Sequence, residues 1–177
     1  MLRHVLEHIP DPLSFLDKIS AANGGKGVIY IEVPCFDWIC EHRAWFDIYY
    51  EHVNYFRPRD FPRMFGRIHE SGHVLGGQYL YVLADLASLR TPVSGQNHRV
   101  EMPKDFLAGV GRAVSLVRTG GQRRTAIWGG ASKGVIFSLY MQRAGLIIDE
   151  VIDINPAKQG WYLAATGLKV SAPEEAL

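Results

Sequence analysis

What this chain has little of narrows its chemistry first. Net charge is almost absent, at +1 over 177 residues, and its basic residues are scattered in short pairs such as Arg123-Arg124. A surface without a basic stripe lacks the electrostatic footprint of a nucleic-acid binder, so no nucleic-acid partner is expected. No apolar run approaches the ~20 residues that cross a bilayer, so no membrane partner is expected either. Residues 1–20 lack the basic start, apolar middle and small-residue cleavage site of a signal peptide, which makes the cytoplasm the expected location. Cysteine is scarce too. Cys35 and Cys40 stand five apart with no second pair nearby, so they cannot build a closely spaced four-ligand zinc site.

Hydrophobic residues are plentiful, at 47%, enough for the core of one domain or two small ones. Arg3 to Ser20 reads as one helix, or as a short turn followed by one, with Pro12 in a first turn behind Asp11 and Leu13, Leu16 and Ile19 at helical spacing. Asn23-Gly-Gly-Lys-Gly27 ends it. Val28-Ile-Tyr-Ile-Glu-Val33 reads as a strand covered on both faces and stopped by Pro34, the late half of a βαβ unit. Aromatics and histidines then crowd residues 36–56, where an open α/β sheet places its ligands. A helix is expected to begin in Phe56–Phe65, capped by Asp60 with Pro62 in its first turn, and Gly76–Ala84 has strand character. The polar stretch 88–100 reads as a domain linker. Beyond it come a helix over about Lys104–Val117, a strand Thr125–Trp128, a loop Gly129–Gly134, a helix to Ala144 and a strand Glu150–Ile154. A short strand at Leu168–Val170 and a last helical turn from Pro173 complete the chain.

Three constellations can carry chemistry. Tyr49, Glu51 and His52 combine a natural general base, a carboxylate able to orient it and a hydroxyl able to donate to an oxyanion. If the stretch is helical, Tyr49 and His52 share a face and Glu51 lies beside His52; ordinary packing and solvated charge is the competing reading. His4 and His8 are one helical turn apart with Glu7 adjacent, yet His-Val-Leu-Glu-His is not the zincin order, so the expected metal complement is none and His8 reads as a polar group at the mouth of a sheet. In Ile127-Trp-Gly-Gly-Ala-Ser-Lys-Gly134, amides at a helix start attract an anion and Lys133 adds a point charge. Asp153 lies at the end of the next strand, about 20 residues on, where a ribose-binding acid would sit. The spacing is neither a Walker loop nor a full dinucleotide fingerprint, and a structural tight turn is the alternative.

Taken together, His4-Val-Leu-Glu-His-Ile-Pro-Asp-Pro12, Ile31-Glu-Val-Pro34, Asp47-Ile-Tyr-Tyr-Glu-His-Val-Asn-Tyr-Phe56 and Gly76-Gly-Gln-Tyr79 resemble the C-terminal portion of class I S-adenosylmethionine-dependent methyltransferases that act on carbon in deoxysugar nucleotides. Trp128-Gly-Gly-Ala-Ser-Lys-Gly134 and Val151-Ile-Asp-Ile-Asn-Pro-Ala-Lys-Gln-Gly160 resemble that family's appended domain. The resemblance spans nearly the whole chain. It implies an α/β fold: a partial Rossmann-like methyltransferase sheet over residues 1–87 and a second, small Rossmann-like α/β domain over 101–177. It implies that His52 removes a proton alpha to a keto-sugar carbonyl, with Tyr49, Glu51 and His8 lining the pocket. It also implies that Gly129, Ser132, Lys133, Gly134 and Asp153 help hold a nucleotide-sugar substrate. The cofactor implied for the complete enzyme is S-adenosylmethionine.

The family's zinc module, first sheet strand, cofactor-binding glycine loop and ribose-binding acid have no counterpart in the sequence. Tight cofactor binding by this chain alone is therefore not expected. The expected protein is a truncated methyltransferase or, alternatively, a non-catalytic nucleotide-sugar-binding remnant or one subunit of a split enzyme. Its open sheet edge would be covered by a second copy, as a homo-oligomer, or by a missing N-terminal partner chain.

Overall fold

The computed structural model describes residues 1–92, 100–120 and 123–176. The chain divides into two compact units, one of Met1–His42 with Tyr50–Pro103 and the other of Arg43–Tyr49 with Lys104–Leu177. The fold is α/β, with a mixed four-stranded sheet and a separate three-stranded parallel sheet. Of the expected linker, Val93–Arg99 lies outside the described residues. Among the described residues, no helix is long and apolar enough to cross a membrane.

In the first unit Arg3 is not helical. Strand β1 (Leu2–Arg3) leads into a 3-10 turn at Leu6–His8, and only then does helix α1 (Pro12–Ala22) begin. A single helix from Arg3 is excluded by Pro10 and Pro12, which donate no backbone hydrogen bond and push the residues before them out of the helical region. Asp11 caps α1 by accepting from the Ser14 amide at 3.0 Å. Strand β2 (Val28–Pro34) runs parallel to β1, with Leu2 opposite Ile31, which completes the expected βαβ unit. Its apolar face buries Ile29, Ile31 and Val33. Its other face is covered by a polar network, described below.

Helix α2 (Phe36–Glu41) follows β2. The expected helix near Phe56 is shorter than the sequence suggests, a 3-10 turn at Pro58–Asp60 and then α3 (Phe61–Met64). Asp60 does not cap α3 with its side chain; its carboxylate turns back to accept from the Arg57 amide at 2.8 Å. Strand β3 (Ile68–Val74) was not expected. Its sequence, Ile-His-Glu-Ser-Gly-His-Val, is polar because it is an edge strand paired only with β4 (Tyr79–Asp85). Gly72 leaves room for the Tyr81 ring of β4, which a Cβ would approach to 2.9 Å. Strand β4 is inserted antiparallel between β2 and β3, giving the order β1-β2-β4-β3. Leu6, Leu16, Phe61, Phe65 and Val82 fill the core beneath.

The second unit follows its sequence closely. Helix α4 (Ala108–Thr119) precedes β5 (Ala126–Trp128), α5 (Ser132–Arg143) and β6 (Glu150–Ile152), and β5 and β6 pair in parallel, a right reading of one βαβ unit. Strand β7 (Val170–Ser171) extends the sheet and α6 (Pro173–Ala176) closes the chain. The core joins Val135 and Met141 of α5 to Val151, Leu163 and Val170. Trp45, from the short segment 43–49, is buried in this unit, its ring 5.3 Å from Tyr140 and 6.0 Å from Phe137. Gly109 makes room for it, since a Cβ there would lie 2.7 Å from the indole nitrogen.

Candidate active site

Because β1 and β2 are parallel, residues 4–8 and the segment after Pro34 both leave the carboxyl edge of the sheet, where ligands of open α/β sheets bind. The chain returns to this edge at residues 51–54 and is stitched to residues 7–9. The Glu7 carbonyl accepts from the amides of Val53 and Asn54 at 2.9 and 3.1 Å. The Asn54 side chain donates to the Ile9 carbonyl at 2.6 Å. His8 Nδ1 donates to the Glu51 carbonyl at 3.0 Å. That bond fixes the imidazole orientation. The His8 and His52 rings then meet edge to face, with centroids 4.9 Å apart.

Glu7 completes the cluster. Its side chain is buried, at 1% exposure, and its Oε2 has no hydrogen-bond partner. Burial pushes its carboxyl up from the ordinary carboxylate range, against its own backbone amide and the nearby His8 and His4. One ligating atom each from Glu7, His8 and His52 lie within 4.8 Å of one another. The sequence offered Glu7 only as the neighbour of a failed zincin spacing; what links it to His52 is a tertiary return of the chain, which carries no local signal.

A second carboxylate, Glu32 of β2, is buried beside it but fully engaged. Tyr30 donates to Oε2 at 2.7 Å, while Arg3 and His4 face Oε1 at 3.1 and 3.3 Å. The Tyr30 hydroxyl and then Arg3 hold the Glu32 carboxyl below its usual range, and the same bond pushes the Tyr30 phenol up to about 12. His4 adopts a left-handed φ of 52°, and its ring meets Tyr79 edge to face at 4.7 Å.

The expected trio is distributed differently from a helical face. Residues 49–52 are not helical, with a turn at Tyr50 and Glu51, so the shared-face geometry of Tyr49 and His52 does not arise. Tyr49 belongs to the second unit and packs against that unit's core. Glu51 is exposed, and its contribution to the cluster is its carbonyl oxygen. His52 lies in the first unit with His8 and Glu7, half-buried, its ring 6.1 Å from that of Tyr55.

In the second unit the glycine loop joins β5 to α5, which starts at Ser132. Gly129 has φ 110°, and a Cβ on Gly134 would collide with the Gly129 carbonyl oxygen. Both positions require glycine. Asp153 is buried at the end of β6 and braces the loop, accepting at Oδ2 from the Gly130 amide and Lys158 Nζ, each at 2.9 Å, and at Oδ1 from the Asn155 amide at 2.9 Å. The Asn155 amide and then Lys158 hold its carboxyl below the usual range. Lys133 faces Asp47 at 3.1 Å, so its charge already has a carboxylate opposite it.

Comparison with curated proteins gives no significant match. Residues 1–68, from β1 to the first residue of β3, match the family described as a methyltransferase domain, and these residues hold Glu7, His8 and His52.

Proposed function

We propose that this chain carries the proton-abstracting part of an S-adenosylmethionine-dependent C-methyltransferase acting on a keto-deoxysugar nucleotide. The observation that carries the reading is the pairing of His52 with an orientationally fixed His8 over buried Glu7, at the carboxyl edge of a sheet inside the methyltransferase match. His52 takes the proton from the carbon beside the ketone. The electron pair left on that carbon forms the new C–C bond to the methyl, and the S–C bond breaks with its electrons going to sulfur. The sulfonium supplies a methyl that needs orientation rather than further activation. The loop at Gly129, Ser132, Lys133 and Gly134, braced by Asp153, is assigned to the diphosphate of the nucleotide.

Incubating the complete enzyme, this chain together with the segment that holds the cofactor, with methyl-labelled S-adenosylmethionine and a panel of keto-deoxysugar nucleotides tests this. One labelled methyl on a sugar carbon, seen by mass and by carbon NMR, is the expected result. Label on oxygen or nitrogen only, or on no sugar of the panel, would overturn it.

A further inference from the structure

We propose that Glu7, His8 and His52 form a binding site for one divalent transition-metal ion of the zinc and cobalt class. Two imidazoles and one carboxylate are the donor set that such ions favour, with the remaining positions open to water or a substrate oxygen. The donor atoms lie within 4.8 Å of one another. An ion at ~2.0–2.2 Å from each draws them together by about an ångström, within the reach of side-chain rotation.

Two further observations point the same way. Glu7 Oε2 is buried without a hydrogen-bond partner, an arrangement that is destabilising unless something positive approaches it. His8 donates its Nδ1 proton to a main-chain carbonyl, as metal-bound histidines do with the ring nitrogen that is not on the metal. The carbonyl belongs to Glu51, next to the third donor, so one hydrogen bond both orients His8 and places His52. The proposal does not rest on the methyl-transfer reading. The two assign His52 to alternative states, since a ring nitrogen bound to an ion has no lone pair for a proton.

The test is calorimetric titration of metal-stripped full chain with Zn²⁺ alone, alongside Co²⁺ titration followed by its visible absorption. One ion per chain is expected, with intense Co²⁺ bands of a low-coordinate site. Glu7→Gln, His8→Gln and His52→Gln should each weaken binding by at least ~10–100-fold. His69→Ala, on exposed edge strand β3, should leave it unchanged. Thermal unfolding without metal separates lost ligation from lost folding, and any variant that does not fold is replaced by the alanine variant at the same position. No saturable binding, triad variants that bind like wild type, or loss of binding in His69→Ala would overturn the site. None of these outcomes depends on methyl transfer, so the two readings fail separately.

Discussion

In the complete enzyme, His52→Asn is expected to lower methyl-transfer turnover by ~10²–10⁴-fold while leaving the affinity for S-adenosylmethionine nearly unchanged. A general base acts on the transition state for proton removal and does not hold the methyl donor, so its loss falls on kcat. Asparagine keeps the polarity and much of the bulk of the ring, which guards against simple collapse of the pocket. His52 also sits against His8, so His8→Gln is the necessary companion. If His8 only positions His52, its loss should lower kcat less than that of His52 and shift the pH profile of the remaining activity. Tyr49→Phe should cost less than His52→Asn, because the base remains and Tyr49 packs against the core of the second unit. Glu51→Gln should do little, since the Glu51 atom in the cluster is a main-chain oxygen. Turnover by His52→Asn above about a tenth of wild type removes the histidine from the base role. Running each assay with and without a chelator also separates this role from metal ligation.

Gly134→Ala is expected to destabilise the second unit at or above the upper end of the ~1–3 kcal/mol typical of overpacking. The added Cβ meets the Gly129 carbonyl, a backbone atom in a loop pinned by the Gly130–Asp153 hydrogen bond, so no flexible side chain can yield. For a unit of this size that corresponds to roughly 10 °C or more in melting temperature. The contrast is Gly111→Ala. Gly111 lies in helix α4 with nothing within 4 Å of the added carbon, and alanine is the better helix former by ~1 kcal/mol. Paired melting curves should therefore move in opposite directions. A Gly134→Ala melt within a degree or two of wild type would show that the loop relaxes freely despite its brace at Asp153.

The second unit was legible in the sequence because its elements carry local signals in sequence order. Strand Ala126–Trp128, a glycine turn, a helix and strand Glu150–Ile152 are each bounded by residues of distinct conformational preference. Strand β3 was not legible, because an edge strand needs only an intermittent apolar face and Ile68–Val74 alternates too weakly to be separated from loop. The site was half legible. His52 and His8 stand out by residue type, but their proximity depends on Val53 and Asn54 returning to the Glu7 carbonyl, a contact across more than forty residues. Glu7 was passed over for the same reason. Burial of a carboxylate is a property of the folded surroundings, and its immediate neighbours in the chain do not encode it.

The assignment of residues 43–49 to the second unit gives the chain an unusual accounting of covalent links. It passes from one unit to the other after His42, returns after Tyr49 and crosses again after Pro103. A protease acting in the polar stretch 88–100 cuts only the last of these crossings. The carboxyl fragment would then lack Trp45, which its own core buries against Phe137 and Tyr140, while the amino fragment would carry that tryptophan as a tether. The nicked protein is expected to elute from a sizing column as one species and to appear as two bands only on a denaturing gel. Independent elution of the two pieces without denaturant would show that Trp45 is dispensable for cohesion. On that expectation the chain would act as a pair of complementing fragments joined by the backbone, and expression of the second unit alone would need residues 43–49 as well as 104–177.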